Sequence, residues 1–283
     1  MEKLLAQISA GERLNEFESF DVALREVYEH IDEDSDRQTQ YQRWMRYLGV
    51  LVPSETDFSS VMAATLWDTD LDTAVEFLEL LSNHFLIEPT TSERWLLHAL
   101  VRNGFKNYLR EDSDEYNSAF ANYESYLMQV AIQASKESPN IYGVTPDLPH
   151  LHYVVNERIH WLESHIQFRL DNASYDELFS YSVILPLNSE QSERLKNLYT
   201  LIECSANYLV TQPIEENIIR RWMAAGFLAA AIVQEVDSQI LFLIFWSNWL
   251  NRTSQQDIAL LALEAINNLA SRSSEPDTVA LLS

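Results

Sequence analysis

Five glycines in 283 residues, each standing alone at positions 11, 49, 104, 143 and 226, constrain this chain more than any other feature. Tight turns, bulges and phosphate-cradling loops draw on residues that tolerate positive φ, and a chain this poor in glycine has few places for strands to reverse. Only eight prolines interrupt it. Apolar residues make up 47% of the chain and aromatic ones 11%, which is enough for a real core and too much for a disordered tail. The expectation is a mainly α protein, long enough for one large or two medium domains.

The apolar spacing agrees. Phe20, Leu24, Val27 and Ile31 predict a helix that stops at the acidic run DEDSD, and Tyr41, Trp44, Leu48 and Leu51 a second that ends before Pro53. Phe58, Val61, Met62 and Leu66 predict a short third helix closed by WDTD, and Leu71, Val75, Leu78 and Leu81 a fourth. The period then breaks. Residues 85–87 and 95–97 are too short for helices, and PTTSE between them is turn chemistry, so a small hairpin is expected. Leu97, Leu100, Val101, Phe105, Tyr108 and Leu109 predict the helix after it. Three helices, a hairpin wing and a closing helix are the parts of a winged helix-turn-helix domain, placed at residues 38–112 behind a helical lead-in over 1–37.

Beyond the acidic junction EDSDE, every periodic segment of residues 113–283 is helical. Tyr116 to Val130 and Leu151 to Leu170 carry two stripes, with the loop SPNIYGVTPD between them. Ser174 and Glu177 have the spacing of a capping box. Leu195 to Leu209 continue the series, Pro213 fits the first turn of a helix over 218–233, Asp237 opens another, and Ser254 is placed to cap the last. Trp222, Ala225, Gly226 and Phe242 match the tryptophan, glycine and phenylalanine slots of the tetratricopeptide pattern without its tyrosine or proline. The expected architecture is an antiparallel helical array of tetratricopeptide-like helix pairs.

Charge narrows the function. Acidic residues outnumber basic ones 43 to 19, the formal charge is −24, and the lysines are Lys3, Lys106, Lys136 and Lys196 alone. Such a surface repels phosphate backbones and anionic lipid, so the expected partner is a protein, with no nucleic acid and no membrane. From Arg46 to Arg94 there is no intervening lysine or arginine, and the helix that would read DNA presents Asp72, Glu76 and Glu79. Cys204 is the only cysteine, which excludes a disulfide within the chain and a cysteine-based zinc site and points to the cytoplasm. The start MEKLLAQISAGERLNEF lacks the apolar core of a signal peptide, and the longest apolar stretches, 224–233 and 240–246, are far shorter than a membrane span.

Candidate sites are few. The isolated glycines leave no phosphate-binding loop, and Lys106 follows Gly104 with no second glycine upstream, so no cofactor is expected. No nucleophile elbow, zinc-protease or kinase signature occurs, and the expectation is that the chain is not an enzyme. His150, His152, His160 and His165 form the densest histidine cluster, but their spacing converges poorly and no metal is expected. Trp222, Trp246 and Trp249, with Phe227, Phe242 and Phe245, admit two readings: packing between helices, or a partner-binding groove.

The segments RWMRYLGVLVPSETDFSSVMAATL and WLLHALV, together with DLPHLHYVVNERIHWLESH, resemble the C-terminal part of the STAND (NB-ARC type) signalling NTPases. There a winged helix and helical repeats follow a nucleotide-binding domain that this chain lacks. WLLHALV resembles the LHDLV form of the family's MHD signature, with Ala99 where the family has aspartate. The resemblance implies that His98 aligns with the histidine that touches the phosphates of bound ADP, so His98 either reads a nucleotide held by another chain or now serves only the start of its helix. It also implies a non-enzymatic, protein-binding regulatory or sensor module, with a nucleotide-binding protein among its candidate partners and signal transduction or defence as the setting. Two further readings stand beside it: a winged-helix transcription regulator with a helical effector domain, and an acidic decoy that mimics nucleic acid.

Overall fold

Near the N-terminus the apolar spacing becomes two helices, α1 (Glu16–Glu29) and α2 (Ser35–Tyr47), in a computed structural model that describes residues 16–53, 56–91, 93–110, 112–136, 145–166, 169–170, 173–179, 185–211 and 214–271. The acidic run both ends α1 and starts α2. The Asp34 carboxylate accepts the N–H groups of Asp36 and Arg37 at 3.0 and 3.2 Å, satisfying donors that the first turn leaves open. A 3-10 turn (Leu48–Val50) closes α2.

Then come β1 (Asp57–Ser59), α3 (Ser60–Trp67), α4 (Leu71–Asn83), β2 (Ile87–Pro89), β3 (Arg94–Leu97), α5 (Ala99–Leu109) and α6 (Ser113–Lys136). The described residues are mainly helical, with one three-stranded antiparallel sheet in the order β1-β3-β2. The chain divides into two units, Met1–Tyr126 and Leu127–Ser283, the division falling within α6.

The strand β1 corrects one expectation: Phe58, assigned above to the third helix, is in a strand. The Ser59 side chain accepts the Met62 N–H at 3.0 Å and so is already the cap of α3, which leaves Phe58 outside the helix. Phe58 is fully buried opposite Trp95, and flanking Asp57 receives the Arg94 Nε at 3.0 Å across the ladder.

The first unit's core holds Trp44, Met62, Leu66, Phe77 and Phe105. The indoles of Trp44 and Trp67 stack at 5.3 Å, and the Trp67 N–H donates to the Trp44 carbonyl at 2.8 Å, so the packed pair leaves that buried donor satisfied. At the edge of this core the Arg46 guanidinium holds both oxygens of Glu115, at 2.7 and 2.6 Å, and also donates to the Tyr28 hydroxyl. Gly49 lets the 3-10 turn approach α5 closely. A Cβ there would stand 2.6 Å from the Lys106 nitrogen and 2.7 Å from its Cα.

The second unit adds α7 (Leu148–Ile166), α8 (Tyr175–Phe179), α9 (Ser189–Thr211), α10 (Glu216–Ile232), α11 (Val236–Arg252) and α12 (Gln256–Ala270), with a 3-10 turn (Thr145–Asp147) before α7. Each of α9 to α11 packs on the next, and α7 packs on α9 and α10. The capping box at the start of α8 forms as expected: Ser174 Oγ accepts the Glu177 N–H at 3.2 Å and Glu177 accepts the Ser174 N–H at 2.8 Å. Pro213 and most of the loop before α7 lie outside the described residues.

Helices reverse here without glycine. Gln234 and Ser254 take φ of 64°, and the next residues, Glu235 and Gln255, donate back to Ala230 and Leu250 at 2.9 Å, closing α10 and α11. This corrects the reading of Ser254 as the cap of the last helix. The N-cap of α12 is Gln255, and Ser254 is the left-handed residue that ends α11.

Candidate functional site

Within the second unit a cavity of about 390 Å³ is lined by Asn156 of α7, Leu170, and Asn217, Ile218, Arg220, Arg221 and Trp222 from the first two turns of α10. Helical spacing brings Asn217 and Arg221 onto one side of α10, with Ile218 and Trp222 beside them. α7 supplies the opposite wall because it packs on α10.

The two arginines are held differently. Arg221 donates to Glu163 Oε2 at 2.9 Å, and the other Glu163 oxygen accepts the Leu170 N–H at 3.0 Å. Glu163, almost wholly buried, thus neutralises Arg221 and fixes the chain after α7. Arg220 donates to the Ala173 carbonyl and lies 5.1 Å over the Tyr175 ring. Among the described residues no carboxylate pairs with Arg220. Burial pushes the Tyr175 hydroxyl above its ordinary pKa although the Arg220 charge pulls it down. Trp222 is fully buried, with the His152 ring edge-on at 4.9 Å, and burial holds the His152 imidazole below its ordinary pKa. The described lining residues offer donors, amide acceptors and apolar surface.

The sequence reading did not single out these arginines or asparagines. Its one available signal was the adjacent pair Arg220–Arg221, the sole Arg-Arg step in a strongly acidic chain.

The candidates it did name fall elsewhere, Trp222 excepted. His98 is the N-cap residue of α5, but its side chain makes no capping bond. Its Nε2 instead meets Glu88 Oε1 of β2 at 3.0 Å, which ties the hairpin to the start of α5. Trp222, Trp246 and Trp249 are at most 5% exposed, so these indoles pack between helices. Trp246 meets the rings of Tyr175 and Phe179, each at 5.3 Å. His150 is fully buried, whereas His160 and His165 are each hydrogen-bonded to a carbonyl one turn back at 2.8 Å. Among the described residues no three histidine, cysteine or acidic side chains converge as a metal would require. Cys204 and Glu203 sit side by side on α9, and burial raises both pKa values, partly offset by hydrogen bonds to Ser135 and Ser238 respectively.

Among the described residues no helix is long and apolar enough to cross a membrane. Comparison with protein-family models, curated proteins and solved structures finds no match.

Proposed function

We propose that the chain is a non-enzymatic regulatory or sensor module that works by binding proteins, its first unit a winged-helix domain and its second a tetratricopeptide-like helical array, in the manner of the C-terminal half of a STAND NTPase. The order α2-β1-α3-α4-β2-β3-α5, with β3 between β1 and β2, supports the winged-helix reading. The observation that carries the functional reading is the outer face of α4. Asp72, Glu76 and Glu79 are all exposed there, beside exposed Leu71. A face that neutralised phosphates would need cations at these positions, whereas carboxylates around isolated apolar side chains suit a basic protein surface.

The experiment is affinity capture of the tagged chain from its own host's lysate, beside the variant Asp72→Lys, Glu76→Lys, Glu79→Lys, with a mobility-shift assay on random duplex DNA at low salt. Expected are a nucleotide-binding protein retained by the parent and lost by the variant, and no shift of DNA. A DNA shift by the parent overturns the reading in favour of a transcription regulator. Retention of DNA-binding proteins alone overturns it in favour of the nucleic-acid mimic.

A further inference from the structure

We propose that the cavity between α7 and α10 is a receptor for a small organic monocarboxylate, with Arg220 as its charge partner. The proposal stands independently of what α4 docks on. Three observations converge on it. The first is local charge: Arg220 and Arg221 line the cavity, and among the described residues Glu163 pairs with Arg221 while no carboxylate forms an ion pair with Arg220. Glu216, the carboxylate in the first turn of α10, is exposed and accepts from Gln255 at 2.8 Å.

The second is preorganisation. Arg220 is pinned by the Ala173 carbonyl at one nitrogen and by the Tyr175 ring on one face, so less side-chain freedom is lost when an anion arrives. The third is a pair of orphaned donors. Nε of Arg220 and the indole N–H of fully buried Trp222 are closed off from solvent with no acceptor. Orphaned donors of this kind cost about 1–3 kcal/mol each and mark the place of a missing acceptor. Arg220 as a residue is only half-buried.

The chemical class follows from the same groups. One uncompensated guanidinium matches one negative charge, whereas a phosphate monoester brings about −1.5 to −2 and would leave charge unbalanced near Glu163. Asn156 and Asn217 offer amide hydrogen bonds, and Leu170, Ile218 and Trp222 supply an apolar wall for the body of the acid. A volume of about 390 Å³ lies at the small-molecule end of ligand sites.

The test is titration calorimetry on the full chain with hexanoate and benzoate, against 1-hexanol and benzyl alcohol as uncharged counterparts, with inorganic phosphate and a short acidic peptide as competing anions. Expected is a Kd below about 1 mM for at least one carboxylate. Its matching alcohol should bind at least about tenfold more weakly, and Arg220→Met should weaken the acid by at least about tenfold. Asn217→Ala, at an exposed position on the rim, should weaken it by a smaller factor. Carboxylates that do not bind, alcohols that bind as well, or phosphate or peptide that binds more tightly would each overturn the proposal. So would a folded Arg220→Met variant with unchanged affinity. Should Arg220→Met not fold, the comparison of acid with alcohol on the parent chain decides alone.

Discussion

Gly49→Ala should be the most damaging single-methyl change in the first unit. The added carbon would lie 2.6 Å from the backbone nitrogen of Lys106 and 2.7 Å from its Cα, about 1 Å inside a comfortable carbon contact. Those atoms are main chain in the middle of α5, held by helix hydrogen bonds, so no rotamer change relieves the clash. Overpacking costs about 1–3 kcal/mol, and a main-chain obstacle puts this case near about 3 kcal/mol. Against it stands a gain of about 0.4–1 kcal/mol from a less flexible unfolded chain. The net loss is about 2 kcal/mol, roughly a thirtyfold shift in the unfolding equilibrium. Gly226→Ala is the internal comparison. Its Cβ would meet the Phe242 ring at 2.5 Å, an obstacle made of side chain, and an alanine in a helix interior regains about 1 kcal/mol over glycine. Urea unfolding followed by tryptophan fluorescence gives both midpoints. A Gly49→Ala variant as stable as the parent, or one less affected than Gly226→Ala, would refute the reasoning about the close approach of the turn to α5.

Two further perturbations test the ion pair at the edge of the first core and a buried carboxyl in the second unit. Arg46→Met leaves Glu115 and Tyr28 without their shared donor and should cost about 1–3 kcal/mol, read as a lower urea midpoint, while an unchanged midpoint would mean the pair is offset by its own desolvation. For Glu203, burial raises the folded-state pKa above the ordinary carboxyl value of 4.5, so the folded chain binds more protons than the unfolded one. Its contribution to stability is therefore fully present below 4.5 and is lost as pH rises through the folded value. Glu203→Gln should accordingly be more stable than the parent at pH 7 and equal to it at acid pH. Parallel stability-versus-pH curves would contradict this.

Where a residue's role was set by its near neighbours in sequence, it could be read in advance. Leu71, Val75, Leu78 and Leu81 define α4, the PTTSE turn marks the hairpin, and Ser174 with Glu177 forms its box, because each depends on groups within one or two turns. Phe58 misled because a strand of three residues has no period to detect, and its partner Trp95 lies far along the chain. Glycine scarcity did suppress sheet, but it did not prevent sharp helix reversals. Asp68, Phe85, Gln234 and Ser254 take positive φ with side chains attached, at about 1–2 kcal/mol each, and after each one the next N–H donates back to the helix it ends, to Ala64, Leu81, Ala230 and Leu250. The cavity was illegible for a different reason. Its charge balance rests on Glu163 reaching Arg221 across 58 positions and on Ala173 receiving Arg220 across 47, and no local pattern carries such pairings.

The stacked indoles of Trp44 and Trp67 lie nearly parallel, 16° apart, with Phe77 edge-on to both. Two chromophores fixed that closely couple their strong far-ultraviolet transitions, which gives the first unit an exciton signature in far-ultraviolet circular dichroism that exists only while those rings hold their geometry. Its loss reports the melting of this one cluster by optical means, with no label added and no reference to the four tryptophans beyond Tyr126.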